Sequence, residues 1–360
     1  MANLAWRKAN GFAIGGVLLP LVLLAALAGC RTEQAAARLV ELHGRTMGTV
    51  YSVKLDRLPD GADEKSLQLE IDALLETVNA QMSTWDPESE LSRFNASEST
   101  DWFPVSAATA EVCLAAKRVA AETGGAFDVT VGPLVNLWNF GPEQYDERVP
   151  SDETLQQTAQ RVGDGLFEAR LDPPALRKLH PGVYVDLSAI AKGYGVDVVA
   201  DFLKNQEVAH YMVEIGGEVR TRDLRGDGQP WRMGIETPTD SGRGIQTVLH
   251  LSDAALATSG DYRNFFEIDG RRFSHVVDPR TGRPIEHGLA SVSVIAEHCI
   301  DADAYATALM VLGPEAGYNW ALSRDMAVLM IIRDGENFIE KSTPGFDLFR
   351  KSYIQPEDSP

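Results

Sequence analysis

Apolar and polar residues alternate over Thr49–Leu55, with Tyr51, Val53 and Leu55 on one face, which predicts a half-buried strand. The period then changes. Leu67, Ile71, Leu74, Leu75, Val78 and Met82 fall at helical spacing and give one apolar stripe. A second helix is predicted over Ala107–Glu122, capped by Ser106 and stopped by Gly124-Gly125. Further on, strand patterns dominate: 183–187, Tyr211–Ile215, Trp231–Glu236, 247–251, 265–277, 289–295 and 327–340. Asp269-Gly270 and Asp334-Gly335 are turn-forming pairs inside two of these runs, so both read as hairpins. Helices at about 189–204, 303–312 and 314–323 separate the strands. Hairpins mixed with isolated helices point to an α+β fold, a single large domain of mixed or antiparallel sheets with packed helices.

The N-terminal segment differs in kind. Arg7 and Lys8 precede an uncharged, mostly apolar run over 12–29 that closes on Leu27-Ala28-Gly29-Cys30. The run reads as an export signal, and its ending as a lipobox, with cleavage before Cys30 and acylation of its thiol and new amino group. An uncleaved signal anchor is the alternative. The expected organisation is a signal peptide over 1–29, a lipid-anchored tether over 30–43, a folded domain over 44–350 and a tail over 351–360. The expected location is the periplasmic side of a bacterial membrane. Cys113 and Cys299 are too few for a disulfide framework or a metal cluster and are expected to be buried free thiols.

Composition narrows the function. A net charge of −19 on 360 residues argues against a nucleic-acid partner, because phosphate neutralisation needs a basic surface. A phosphate-bearing substrate would need a metal or a local cluster of donors. Asp301-Ala-Asp303-Ala-Tyr-Ala-Thr307 offers one: on a helix, Asp303 and Thr307 share a face, and both are hard oxygen ligands suited to Mg²⁺ or Ca²⁺. The same spacing also fits a capped helix start in which Thr307 bonds back to a carbonyl. Asp186-Leu-Ser-Ala189-Ile-Ala-Lys192-Gly193-Tyr-Gly195 carries a strand into a helix, with Lys192 in the first turns where anions are attracted. Gly193 and Gly195 imply a close approach, either of a ligand or of packed protein. His275 sits in a polar turn with Asp278 and could act as a general base or be structural. Gly124-Gly-Ala126-Phe127-Asp128 and Thr258-Ser-Gly260-Asp261-Tyr262 are further polar turns. Met47 and Trp85 lie near element ends, where a thioether and an indole can sandwich a flat ring or simply fill the core.

Taken in order, these segments resemble the ApbE family of FAD:protein FMN transferases. The motifs are MGT at Met47, DPESELSRFN from Asp86, GGAFDVTVGPLVNLW from Gly124, VDLSAIAKGYGVD from Val185, TSGDYRNFF, SHVVDPRTGRP and DADAYATAL. Glu88 occupies a variable position. The resemblance implies an ApbE-like, T-fold-like architecture, FAD as substrate and Mg²⁺ as cofactor. The metal would be held by the carbonyl of Ala189 and the side chains of Asp303 and Thr307. Met47, Trp85, Ala126, Phe127, Asp128, Asp186, Lys192 and Val277 would surround the flavin nucleotide. The implied reaction transfers FMN to a Ser or Thr hydroxyl of a target flavoprotein and releases AMP, with Lys192 stabilising charge and His275, Asp278 or Asp261 accepting the proton. Targets implied are subunits of Na⁺-translocating NADH:quinone oxidoreductase or Rnf-type complexes. An FAD pyrophosphatase and a non-catalytic FAD-binding lipoprotein would share the same pocket.

Overall fold

Tyr51, Val53 and Leu55 face the helix Glu64–Met82, whose Leu67, Ile71 and Leu75 close the same apolar cluster. The computed structural model describes residues 39–141, 149–239, 244–262, 264–268, 270–335 and 337–350. The expected signal peptide, Cys30 and the tail after 350 lie outside the described residues. Among the described residues no helix is long and apolar enough to cross a membrane. The first strand, Val40–Thr46, begins before the boundary expected at 44, because Leu42 is buried opposite Val53.

One antiparallel sheet organises the molecule, and its strands lie side by side in chain order. They are Val40–Thr46, Thr49–Leu55, Tyr211–Ile215, Glu218–Arg222, Ala255–Gly260, Leu289–Ala296, Ala327–Asp334 and Asn337–Ser342. Alternation splits each strand between two cores. Val213, Ile215, Val292 and Val328 face the helices Ala191–Asn205 and Cys299–Leu322. Met212, Val219, Leu256 and Leu329 face the hairpin Trp231–Glu236/Ile245–Leu251 and the short helix Pro344–Arg350. The α+β expectation therefore holds, with antiparallel pairing throughout the main sheet.

Between the second and third strands, residues 56–210 supply much of the second wall of the site. They include the helix Ala107–Glu122 and a three-stranded sheet of Phe103–Pro104, Pro174–Lys178 and Phe167–Leu171, packed around Phe94, Val112, Val119 and Phe127. The segment 183–187, expected as a strand, joins no ladder among the described residues. Asn95 takes a partner strand's place: its Nδ2 donates to the Val185 carbonyl at 2.8 Å and its Oδ1 accepts the Val185 N–H at 2.8 Å. The Asp186 N–H donates to the Val129 carbonyl at 2.7 Å.

The two helices expected over 303–312 and 314–323 are both present within Cys299–Leu322, the first beginning earlier than expected, at Cys299, and the two parted by a non-helical Gly313 (φ 80°) before Pro314. The hairpin turn at Gly335 forms as expected. The run over 265–277 divides: Phe265–Ile268 pairs with Arg271–Ser274, while Val277–Asp278 pairs with Arg283–Pro284. Cys113 and Cys299 are buried free thiols, as expected.

Candidate active site

Two helices meet near their N-termini, and each caps the other. Ala191–Asn205 starts without a side-chain cap of its own, and Asp303 Oδ2 accepts the Gly193 N–H at 2.9 Å. Cys299–Leu322 also lacks a side-chain cap at His298, and Asp197 accepts the N–H groups of Cys299 at 3.0 Å and Ile300 at 2.9 Å. A carboxylate is thus placed at each positive helix end. The approach leaves no room for a side chain at Gly193, where a Cβ would meet the Cys299 carbonyl and lie 2.8 Å from Asp303 Cβ. At Gly195 a Cβ would lie 2.7 Å from Met47 Cε. Protein packing, not a ligand, accounts for both glycines.

Lys192, one residue before that contact, sits between two carboxylates. Its Nζ is 2.6 Å from Glu218 Oε1 and 3.8 Å from Asp303 Oδ1. Burial disfavours the ammonium, but Asp303 and Glu218 outweigh it and hold the Lys192 pKa above its ordinary value. Burial pushes the Glu218 carboxyl up, against the pull of Lys192. One turn beyond Asp303, Thr307 Oγ1 shares a hydrogen bond with Ser259 Oγ at 3.2 Å.

Asp303, Thr307, Ala189 and Lys192 line one cleft of about 440 Å³. Trp85, Ala126, Phe127, Asp128, Asp186, His275 and Val277 line it too, so the structure brings eleven of the expected site residues to one space. Asp128 and Asp186 are oriented by local bonds: Asp128 Oδ1 accepts the Thr130 N–H at 2.8 Å, and Asp186 Oδ1 accepts the Ser188 N–H at 2.9 Å. Burial raises the Asp128 pKa above the usual carboxylate range, with the Thr130 hydrogen bonds opposing it. Met47 lies apart, in a left-handed turn (φ 49°) ahead of Gly48, and lines a second cavity of about 590 Å³. That cavity shares Trp85, Ser188 and Lys192 with the first, so the two are neighbours. Trp85 is 70% exposed and stands between them.

The oxygen donors fit a hard cation. Asp303 is 3% exposed and lines the cleft with Thr307 and Ala189, so a carboxylate, a hydroxyl and a main-chain carbonyl are the oxygen types these residues would offer. Among the described residues no group of three or more His, Cys, Asp or Glu is arranged to hold a metal. An ion here would complete its shell with phosphate oxygens or water.

His275 Nδ1 lies 2.9 Å from the Asn264 carbonyl, which only accepts, so the neutral ring carries its proton on Nδ1 and leaves Nε2 as the basic atom. Burial lowers the His275 pKa from its ordinary value, although the Asn264 carbonyl and Asp261 act in the other direction. The other two candidate bases are engaged elsewhere. Asp278 is gripped by Arg280, whose backbone N–H, Nε and Nη2 donate to it at 2.9, 2.9 and 2.8 Å, and it does not line the cleft. Asp261 receives a guanidinium fork from Arg333, with Nη1 at 3.0 Å. Ser259 and Asn264 line the cleft and lie within the TSGDYRNFF motif without being named singly, whereas Glu218, which meets Lys192, was not singled out in the sequence. The signal for Glu218 was a carboxylate immediately after a Gly-Gly turn, in register with the buried Ile215 of the preceding strand.

The cleft brings together a lysine, hard oxygen donors and a histidine on an antiparallel α+β fold. The sequence model of the ApbE family matches residues 47–330, and the chain belongs to that family. The FAD:protein FMN transferase of Vibrio cholerae is 49% identical over 332 residues, 92% of this chain and 98% of that one. The Escherichia coli protein of the same name is 40% identical over 318 residues, 87% of this chain and 90% of that one. Among solved structures, the flavin transferase ApbE of Vibrio cholerae superposes with a TM-score of 0.80 at 48% identity, covering 87% of this chain and 99% of its own. The apo flavinyl transferase ApbE of Pseudomonas stutzeri also gives a TM-score of 0.80, at 38% identity, over 88% of this chain and 98% of its own.

Proposed function

We propose that this chain is an FAD:protein FMN transferase that attaches FMN through a phosphoester bond to a Ser or Thr of a target flavoprotein. The observation that carries the reading is the convergence of His275, Lys192 and the Asp303–Thr307 pair on one cleft. The acceptor hydroxyl oxygen attacks the FMN-side phosphorus of FAD, the pyrophosphate P–O bond breaks, and AMP leaves. His275 Nε2 takes the hydroxyl proton as the attack proceeds. The Lys192 ammonium faces the charge that builds on the pyrophosphate, and Phe127 and Trp85 offer flat faces to the flavin nucleotide. Mg²⁺ held by Asp303, Thr307 and the Ala189 carbonyl would supply charge neutralisation on the phosphates.

The chain would work from a lipid anchor at Cys30 on the periplasmic side of a bacterial membrane. Subunits of Na⁺-translocating NADH:quinone oxidoreductase or Rnf-type complexes are the proposed targets. Incubation with FAD and Mg²⁺, with and without such a subunit, tests the reaction. AMP release that requires the target supports the transferase; release without it makes the protein a pyrophosphatase, and none makes it a flavin carrier. Asp303→Ala should abolish Mg²⁺-dependent AMP release, while Thr307→Val weakens it less. Near-normal turnover of Asp303→Ala at limiting Mg²⁺ would remove Asp303 from the metal site.

A further inference from the structure

Glu218 has no part in the reaction just described, yet it is the closest charged partner of Lys192. The carboxylate is 2% exposed, and only Oε1 meets the ammonium. Oε2 is buried without a hydrogen-bond partner among the described residues. Such a group is costly to bury, so a carboxylate kept there needs a strong compensating contact. Lys192 supplies it, and the contact has a geometric consequence for the other carboxylate. The ammonium rests 2.6 Å from Glu218 Oε1 and 3.8 Å from Asp303 Oδ1, so Glu218 holds it off that second oxygen. Asp303 Oδ2 is already committed to the Gly193 N–H at 2.9 Å, which leaves Oδ1 as the oxygen open to a cation.

We propose that Glu218 is a positioning residue: it draws Lys192 away from Asp303 and so keeps Asp303 Oδ1 available to a divalent cation. The proposal rests on the reading of Asp303 as a metal ligand. Without the Glu218 charge, Asp303 becomes the nearest carboxylate for Lys192, and the ammonium competes with the ion for the same oxygen. Glu218 acts through Lys192 and does not bind the ion itself. Two substitutions that are each unfavourable for transfer should then offset one another in metal binding.

The test is a titration of the whole chain with Mn²⁺ alone, read by loss of the free-ion paramagnetic resonance signal. Glu218→Gln, which keeps the shape and removes the charge, should weaken Mn²⁺ binding about tenfold, a coupling usual for neighbouring charges. Adding Lys192→Met in the same chain should restore the affinity, and Lys192→Met alone should bind Mn²⁺ more tightly than the parent. Glu218→Asp should retain most of the parent affinity. An unchanged affinity in Glu218→Gln overturns the proposal. So does a loss that Lys192→Met fails to restore, since Glu218 would then be a ligand or a structural prop. If Glu218→Gln does not fold, the single Lys192→Met variant decides, and equal or weaker binding there counts against the proposal. Parent-like Mn²⁺ binding in Asp303→Ala, or none in the parent, refutes the metal reading itself.

Discussion

A histidine whose Nδ1 proton is held by a main-chain carbonyl has a settled tautomer, so Nε2 is the atom of His275 left to accept a proton. If His275 accepts the proton only as the hydroxyl attacks, His275→Asn should leave FAD affinity within about a few-fold and lower the transfer rate by about 10² to 10⁴. Calorimetry and single-turnover transfer measure the two separately; an equal fall in both would make His275 a binding contact. On that reading the neutral ring is the active form, and burial moves its pKa down from the ordinary value of about 6.5. The rate should therefore hold at neutral pH and fall on acidification, with its midpoint below about 6.5. The sequence exposed His275 through its polar turn but could not rank it against Asp278 and Asp261. The deciding partners differ in reach: Arg280 lies two residues from Asp278, whereas Arg333 comes to Asp261 from a distant strand. The pairing of Glu218 was hidden for the same reason, because its strong partner, Lys192, is on another element.

At the scale of elements, the reciprocal caps tie the helix that presents Lys192 to the helix that presents Asp303 and Thr307. Gly193→Ala tests the tie, since its methyl must push the two helix starts apart. It should cost about 1 to 3 kcal/mol by overpacking and weaken Mn²⁺ binding as Asp303 shifts. Thermal melts and the Mn²⁺ titration report the two effects; an unchanged melt would mean that the contact relaxes freely. Apolar periodicity located Thr49–Leu55, Glu64–Met82 and Ala107–Glu122 well, because each buries a clean stripe. It failed at 183–187, where the period was right but a side-chain amide replaced the partner strand. It passed over Glu218–Arg222 and Ala255–Gly260, whose Glu218, Arg220, Thr258 and Ser259 dilute the apolar signal to serve the site and its neighbours.

For the molecule as a whole, the domain's first strand at Val40 leaves Cys30 upstream of every element that shapes the cleft. Cys30→Ser should therefore abolish lipid attachment and spare catalysis, as read by labelled-palmitate incorporation beside AMP release. Continued labelling of the variant would refute the lipobox. The sheet whose strands lie in chain order has a kinetic side. Val40–Thr46 and Thr49–Leu55 can zip across Met47-Gly48 at once, and Tyr211–Ile215 can zip with Glu218–Arg222 across Gly216-Gly217. The ladder that joins these hairpins must wait for all of 56–210 to arrive and fold. Distant pairings of this kind form slowly, although the closure entropy itself grows only gently with loop length. Until then the N-terminal hairpin presents a bare strand edge, a template for wrong partners. Pulsed hydrogen exchange during refolding should find both hairpins protected before the ladder between them; simultaneous protection would show that the sheet assembles in one step.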